Sequence, residues 1–169
     1  MIALKQERRL ELWAKTPNKA IHLINFPFTG SSGQLGPKLR EGDGQIPEGI
    51  YKITSLNPNS AYHLSLKINY PNNFDQKSAK TDGRTNLGSN IFIHGNSLSI
   101  GCIPIGDENI EKLFFLVHKV GLANTKLIIA PNNIRIEKNP YKVEMKPWIK
   151  HKYQRLHNEL KPFNNTPWQ

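Results

Sequence analysis

A single cysteine and a nearby histidine are the residues of this chain with the clearest chemical potential. Cys102 is the only cysteine among 169 residues, and His94 lies in the same short segment. A lone thiol forms no intrachain disulfide and no cysteine zinc cluster, whereas a thiol beside an imidazole base is the arrangement of a cysteine nucleophile. Free cysteine is also among the most buried residue types and is then inert. From these two residues alone, a reactive nucleophile and an inert core thiol both stay open.

The residues between His94 and Cys102 favour a tight turn. A hydrophobic run ends at His94, and Gly95 then allows the backbone to turn back through the loop 96–101. Gly101 has no Cβ, so a backbone N–H beside the nucleophile can approach and stabilise an oxyanion. A nucleophilic cysteine also requires a lowered thiol pKa, which His94 and the N-terminus of a following helix are candidates to supply.

A metal site is the other chemistry that histidine and cysteine suggest. His94 and Cys102 together would need two further ligands to hold zinc. His63 is the nearest additional histidine, and no carboxylate is obviously placed beside the three. We therefore predict neither a metal ion nor another cofactor.

Composition predicts one globular domain with a basic surface. The hydrophobic fraction is 37% and the charged fraction 21%, and no apolar stretch approaches the length of a transmembrane helix. The net charge of +10 favours a negatively charged partner such as nucleic acid, an anionic membrane surface or an acidic wall polymer. Dense basic blocks are missing from residues 1–137, so we predict no nucleic-acid partner. We interpret the C-terminal lysines as a solvated face: Lys138, Lys142, Lys146, Lys150 and Lys152.

The elements that must position the pair are mostly strands. Alternating apolar residues predict strands at 2–4, 10–13, 20–28, 50–56, 62–68, 90–94 and 126–130, the first two forming a hairpin. Residues 29–45 are glycine-rich and form a loop, and residues 69–89 form a long polar connection with one short helical turn. Helices are predicted from an N-cap at Asp107 to Gly121 and from Pro147 to Leu160. The fold class is mainly β with peripheral helices, built as a sheet or barrel-like core.

At this point the motifs resemble a known family. Ile-His-Gly at 93–95, followed by Ser99 and Gly101-Cys102, is similar to the signature of the L,D-transpeptidase (YkuD-like) catalytic domain, and in particular to its murein-type branch. These bacterial enzymes act on peptidoglycan stem peptides. The resemblance covers about residues 2–130 and includes further motifs: GPK at 36–38, EGDG at 41–44, PEG at 47–49, NPNSAYHLS at 57–65, YPN at 70–72 and GSNIFIHG at 88–95.

The resemblance implies a role for each residue of the turn. Cys102 would be the nucleophile and His94 its base, while the Gly95 carbonyl would orient the imidazole. Ser99 and Gly101 would line the turn, with the backbone N–H groups of Gly101 and Cys102 forming the oxyanion hole. The implied fold is a β-sandwich-like or barrel-like catalytic domain with a cleft. The sequence departs from the family signature at Ile100, where a histidine is usual, at Pro104, and in a shorter spacer.

Three functional hypotheses follow. The first is an L,D-transpeptidase that transfers an acyl group through a Cys102 thioester. The second is an L,D-carboxypeptidase or amidase on the same scaffold, and the third is an inactive wall-binding module. Candidate substrate-binding residues are Arg84, which can pair with a carboxylate, and Tyr62 and His63, which begin a strand with one buried face and one face toward solvent or a cleft. Arg84 can equally be a solvent-facing loop residue.

The domain and location hypotheses rest on the same comparison. We expect a catalytic domain at 1–137 and a basic helical extension at 138–169. The sequence carries no signal peptide, yet the resemblance implies the periplasm or cell envelope, so we expect a fragment of an exported protein or another export route. Peptidoglycan stem peptides are the expected partners, and a monomer is the expected state.

Overall fold

A mixed β-sheet organises the fold. The computed structural model describes residues 1–136 and 145–163. Within these ranges the strands are β1 (Ile2–Leu4), β2 (Arg9–Lys15), β3 (Ala20–Pro27), β4 (Gly49–Ser60), β5 (His63–Ile68), β6 (Phe92–His94), β7 (Ile103–Pro104) and β8 (Lys126–Ala130). The helices are α1 (Asn73–Thr81), α2 (Asp107–Val120) and α3 (Pro147–Leu160). The mostly β class with three helices agrees with the predicted fold class.

The strand order is β3-β2-β1-β8-β4-β5-β6-β7. The predicted hairpin of β1 and β2 is confirmed, with Leu4 opposite Arg9. β8 is the last of the described strands in the chain, yet it lies in the middle of the sheet, parallel to β1 and antiparallel to β4. β4 joins two halves of the sheet, because its first residues pair with β8 and those from Ile53 onward pair with β5.

Two helices cover opposite faces of the sheet. Neighbouring strand residues point to opposite faces, and in β8 Ile129 packs in the cluster that contains Leu113 of α2, while Ile128 packs in the cluster that contains Leu156 of α3. All four side chains are almost fully buried. The apolar periodicity that predicted α2 and α3 therefore reflects the faces that contact the sheet.

The connection 69–89 holds more structure than the sequence predicted. Its helix α1 has nine residues rather than one short turn. Asn72 accepts hydrogen bonds from the backbone N–H groups of Phe74 and Asp75, and Asp75 accepts one from the Asn72 N–H. This reciprocal capping fixes the start of a helix whose own sequence is largely polar.

A buried polar network ties α3 to the rest of the fold. Lys152 is only 4% exposed, so its assignment to a solvated face is wrong. Its Nζ donates to the Glu48 carbonyl oxygen at 2.7 Å and to Asp75 Oδ1 at 3.0 Å. Tyr153 donates to Glu48 Oε2 at 2.7 Å, and Lys5 Nζ donates to Glu48 Oε1 at 3.0 Å. The predicted lysines 138 and 142 lie outside the described residues, and the boundary near residue 137 stays a prediction.

Two carboxylates shape the glycine-rich segment between β3 and β4. Asp43 accepts from the Lys38 ammonium and from the backbone N–H groups of Leu39, Arg40 and Gln45. Burial acts to raise the pKa of Asp43, but these donors outweigh it and the pKa lies below its usual value. Glu48 Oε1 accepts from the Gly36 N–H at 2.7 Å. The loop between β3 and β4 is therefore internally cross-linked at both ends.

Candidate active site

His94 is the last residue of β6, and Cys102 immediately precedes the adjacent strand β7. β6 and β7 are parallel, with Ile93 opposite Ile103 and His94 opposite Pro104. Ile93 and Ile103 are buried in the core. Because side chains alternate along a strand, His94 and Cys102 share the opposite face, two residues apart along the pair. The strand pairing thus brings together the histidine and the cysteine that the sequence singled out.

His94 is held in one tautomer. Its Nδ1 lies 2.5 Å from the carbonyl oxygen of Gly95, and since a carbonyl only accepts, Nδ1 donates. In the neutral imidazole Nε2 is then the acceptor, and it makes no hydrogen bond to the described residues. The Tyr62 ring stacks on the imidazole at 4.5 Å between centroids. Burial lowers the pKa of His94, with the bond to Gly95 acting to raise it, so the ring is neutral at neutral pH.

Gly95 is required by the packing around it. A Cβ at this position would overlap Asp107 Oδ1 and lie 2.7 Å from the Tyr62 carbonyl oxygen. The sequence predicts Asp107 as the N-cap of α2, and this is wrong. Gly106 occupies the cap position, and Asp107 is the first residue of the helix. The Asp107 carboxylate instead accepts the Asn96 N–H at 2.7 Å. The start of α2 is therefore fastened to the histidine turn.

Cys102 is partly exposed and carries a protonated thiol. The thiol donates to the Asn90 carbonyl oxygen, which lies 3.9 Å from Sγ. Burial raises the pKa of the Cys102 thiol, although the Phe92 N–H and the Lys38 charge act to lower it. The expectation of a lowered thiol pKa is therefore wrong. With a neutral thiol and a neutral imidazole, ionisation of the sulfur requires proton transfer to a base.

The turn before Cys102 is held by two serines. Ser99 Oγ donates to the Cys102 carbonyl oxygen at 2.7 Å, and the Gly101 N–H donates to Ser32 Oγ at 2.7 Å. Gly101 has φ +97°, and a Cβ there would lie 3.0 Å from the Gln45 carbonyl oxygen. The Gly101 N–H predicted for an oxyanion hole is thus already bonded in this conformation. Sequence reasoning missed Ser32, because only the folded loop between β3 and β4 brings it to the turn.

The other candidate residues have different surroundings. Tyr62 covers His94 and is 40% exposed. His63 Nε2 lies 2.7 Å from Glu111 Oε1 of α2 in an exposed pair. Across residues 1–136 and 145–163, no three His, Cys, Asp or Glu side chains are grouped to hold a metal ion. Of the two predicted substrate-binding residues, Tyr62 thus lies beside the predicted base His94, whereas His63 contacts helix α2.

Arg84 is anchored within the protein. Its Nη1 donates to the Leu39 carbonyl oxygen at 2.9 Å and its Nε to Asp82 Oδ2 at 3.2 Å. The guanidinium also lies 5.2 Å from the centre of the Trp148 ring of α3. These contacts join three segments, and the substrate-binding role of Arg84 stays a prediction.

Two exposed apolar side chains lie in the turn before the thiol. Leu98 is 67% exposed and Ile100 is 83% exposed. Ile100 stands where the family signature usually has a histidine, so an apolar surface replaces a polar one immediately beside Gly101 and Cys102.

The mixed sheet with its His94–Cys102 pair is the catalytic-domain fold of a recognised class. Residues 4–129 match the family model described as the L,D-transpeptidase catalytic domain (YkuD), and the chain belongs to this family. This confirms the resemblance that the sequence motifs indicated. The chain is similar to the protein named "Putative L,D-transpeptidase YafK" of Escherichia coli strain K12, with 29% identity over 163 residues. The match covers 94% of this chain and 61% of that protein, so the chain spans less than two thirds of its relative.

Two solved structures share the fold. The helical cell shape determining protein Pgp2 from Campylobacter jejuni matches with a TM-score of 0.60 and 23% identity, over 92% of this chain and 51% of that one. Bd1075 from Bdellovibrio bacteriovorus matches with a TM-score of 0.59 and 21% identity, over 96% of this chain and 54% of that one. At these identities the two likenesses establish the architecture of the chain.

Proposed function

We propose that this protein is a cysteine-dependent acyl transferase that acts on peptidoglycan stem peptides. The observation that carries the proposal is the His94 imidazole, whose Nδ1 donates to the Gly95 carbonyl and which shares one face of the β6–β7 pair with Cys102, two residues away along the pair. A fixed tautomer leaves Nε2 as an acceptor on the side of the ring away from Gly95. This is the state that a general base for a thiol requires.

The reaction proceeds by transfer of one proton and one acyl group. The Cys102 sulfur attacks the carbonyl at the L-centre of a diaminopimelate residue, and its proton moves to His94 Nε2. The tetrahedral intermediate collapses to a thioester, and the proton on His94 passes to the amine of the departing terminal D-amino acid. An acceptor amine then attacks the thioester, loses a proton to His94 and restores the free thiol. The His94 ring therefore acts as base and acid in turn.

The protonated resting thiol favours this sequence over a preformed ion pair. Burial raises the pKa of Cys102 and lowers that of His94, and both shifts stabilise the neutral forms. Proton transfer and attack on the carbonyl are then coupled when substrate binds. Lys38 and the Phe92 N–H favour the thiolate that forms during this step.

The surroundings of the thiol suit an acceptor other than water. Leu98 and Ile100 expose apolar surface in the loop next to Cys102. An acceptor that packs on this apolar surface would exclude water from the thioester, and on that ground we propose aminolysis over hydrolysis. Hydrolysis on the same scaffold is the competing outcome of the assay below.

The substrate sets the partner and the place of action. The charge of +10 steers the protein toward the carboxylates of peptidoglycan stem peptides. Because that polymer lies outside the cytoplasm, we propose that the protein acts in the periplasm or cell envelope. None of the helices in the two described ranges is long and apolar enough to cross a membrane.

Purified tetrapeptide muropeptides provide the test. Mass spectrometry of the products should show cross-linked dimers with the wild type and none with Cys102→Ala or His94→Gln, while Ser97→Ala in the same loop serves as an active control. Shortened monomers without dimers would assign the protein to the hydrolases instead. A folded wild type that forms neither product, and that binds sacculi as well as Cys102→Ala does, would refute the enzymatic proposal in favour of a binding module.

A further inference from the structure

The segment that follows β3 runs along the turn between His94 and Cys102. Thr29 Oγ1 donates to the Asn96 carbonyl oxygen at 2.6 Å, and the Thr29 N–H donates to the Pro104 carbonyl oxygen at 3.0 Å. Gly30 lies so close to the turn that a Cβ there would overlap the Ser97 carbonyl oxygen. Residues distant in sequence thus form one wall of the loop that carries the thiol.

Ser32, in the same segment, contacts Gly101, the residue directly before the cysteine. Its Oγ accepts the Gly101 N–H at 2.7 Å, donates to the Gly44 carbonyl oxygen at 2.8 Å and lies 3.1 Å from Ser99 Oγ. Ser99 Oγ donates its proton to the Cys102 carbonyl oxygen at 2.7 Å. The two hydroxyls therefore connect the Ile100–Gly101 and Cys102–Ile103 peptides, which flank Gly101 and Cys102, to the loop at Gly44.

We propose that Ser32 is a positioning residue that fixes the Ile100–Gly101 peptide and thereby the place of the Cys102 sulfur one residue further on. The inference rests on the proposed function, since it concerns the same nucleophile. Gly101 adopts φ +97° and has no Cβ to restrict its backbone. The orientation of its peptide group therefore depends on the hydrogen bonds that it makes. The Gly101 N–H donates to Ser32 Oγ, which lies 69 residues away in the sequence.

Loss of the Ser32 hydroxyl should have two opposite effects. The Gly101 N–H loses its acceptor and the turn loosens, so the partly buried thiol becomes more accessible to a small reagent. The same loosening removes the alignment of the sulfur, so turnover falls. Ser32 acts through Gly101 and Cys102, and we therefore expect kcat to fall while KM stays the same. A loss of substrate binding would move KM instead.

Alkylation by iodoacetamide measures the first effect directly, because Cys102 is the only cysteine in the chain. Ser32→Ala should raise the alkylation rate at fixed pH roughly fivefold, the ratio that one net hydrogen bond supports. Ser32→Thr retains a hydroxyl and should restore the wild-type rate. Ser31→Ala is the matched control, since Ser31 is the exposed neighbouring serine. On muropeptides, Ser32→Ala should lower kcat by a similar factor at constant KM.

A second measurement needs no variant. Amide exchange of the wild type, followed by NMR, should show slow exchange of the Gly101 N–H. Fast exchange of that amide, or alkylation of Ser32→Ala at the rate of Ser31→Ala, overturns the proposal. Absence of turnover in the wild type would overturn the proposed function alone, because alkylation and amide exchange report on the turn without any substrate.

Discussion

Replacing Lys152 by methionine tests how strongly α3 is built into the fold. The Lys152 ammonium is buried and donates to the Glu48 carbonyl oxygen and to Asp75 Oδ1. Methionine preserves most of the volume of the side chain and removes the charge. Lys150→Met on the same helix is the matched control, because Lys150 is exposed.

The expected loss follows from what remains around Asp75. Asp75 is 7% exposed, and without Lys152 the hydrogen bonds that its carboxylate keeps with the described residues are those from the Tyr51 hydroxyl and the Asn72 N–H. Removing one partner of a buried ion pair lowers the free energy of unfolding by about 3–5 kcal/mol. For a chain of this size that corresponds to a drop in Tm of roughly 6–20 °C.

Urea unfolding monitored by tryptophan fluorescence measures the change. We expect Lys150→Met to stay within about 0.5 kcal/mol of the wild type. Adding Asp75→Asn to Lys152→Met should recover part of the loss, because the uncompensated charge is then gone. Equal stability of the Lys152→Met and Lys150→Met variants would refute the burial argument, and further loss in the double variant would show that packing dominates over charge.

Two further predictions concern the site. Gly95→Ala should lower the free energy of unfolding by about 1–3 kcal/mol, because the added Cβ would meet Asp107 and the Tyr62 carbonyl. The same variant should reduce muropeptide turnover more than Ser97→Ala does. Urea unfolding of Gly95→Ala at wild-type stability would contradict the packing argument. The alkylation rate of Cys102 should rise with pH through a midpoint above the ~8.5 of free cysteine, because burial raises its pKa. As the folded chain then holds the proton more tightly than the unfolded one, stability should fall as the pH rises past ~8.5. A midpoint at or below that value would be inconsistent with a buried neutral thiol.

Local periodicity was sufficient for most of the secondary structure. The helices α2 and α3 and every described strand except β7 are predictable, because each carries apolar residues at the spacing of its own geometry. β7 (Ile103–Pro104) is missed because two residues are too few to show an alternation. α1 was underestimated because its sequence is mostly polar, with a signal confined to the capping pair Asn72 and Asp75. The cap of α2 was placed one residue late, at Asp107, because its carboxylate serves the Asn96 N–H instead.

Long-range contacts explain what the sequence did not show. The motif around His94 and Cys102 was visible because it is contiguous, whereas Ser32 reaches Gly101 only through the folded loop. The burial of Lys152 depends on partners far away in the chain, so the local sequence wrongly predicts a solvent-exposed lysine. The direction of the Cys102 pKa shift likewise follows from packing, which no local pattern encodes.

The position of β8 imposes an order on folding during synthesis. β1 is translated more than 100 residues before β8, yet β8 is one of its neighbours in the sheet, and the Met1 nitrogen donates to the Lys126 carbonyl oxygen 125 residues away. The hairpins β1–β2 and β4–β5 join residues that are close in sequence and can form early. Until β8 inserts between them, β1 and β4 expose unpaired edges. A nascent chain that stalls before residue 126 is therefore expected to aggregate, and the complete sheet forms only after translation of β8.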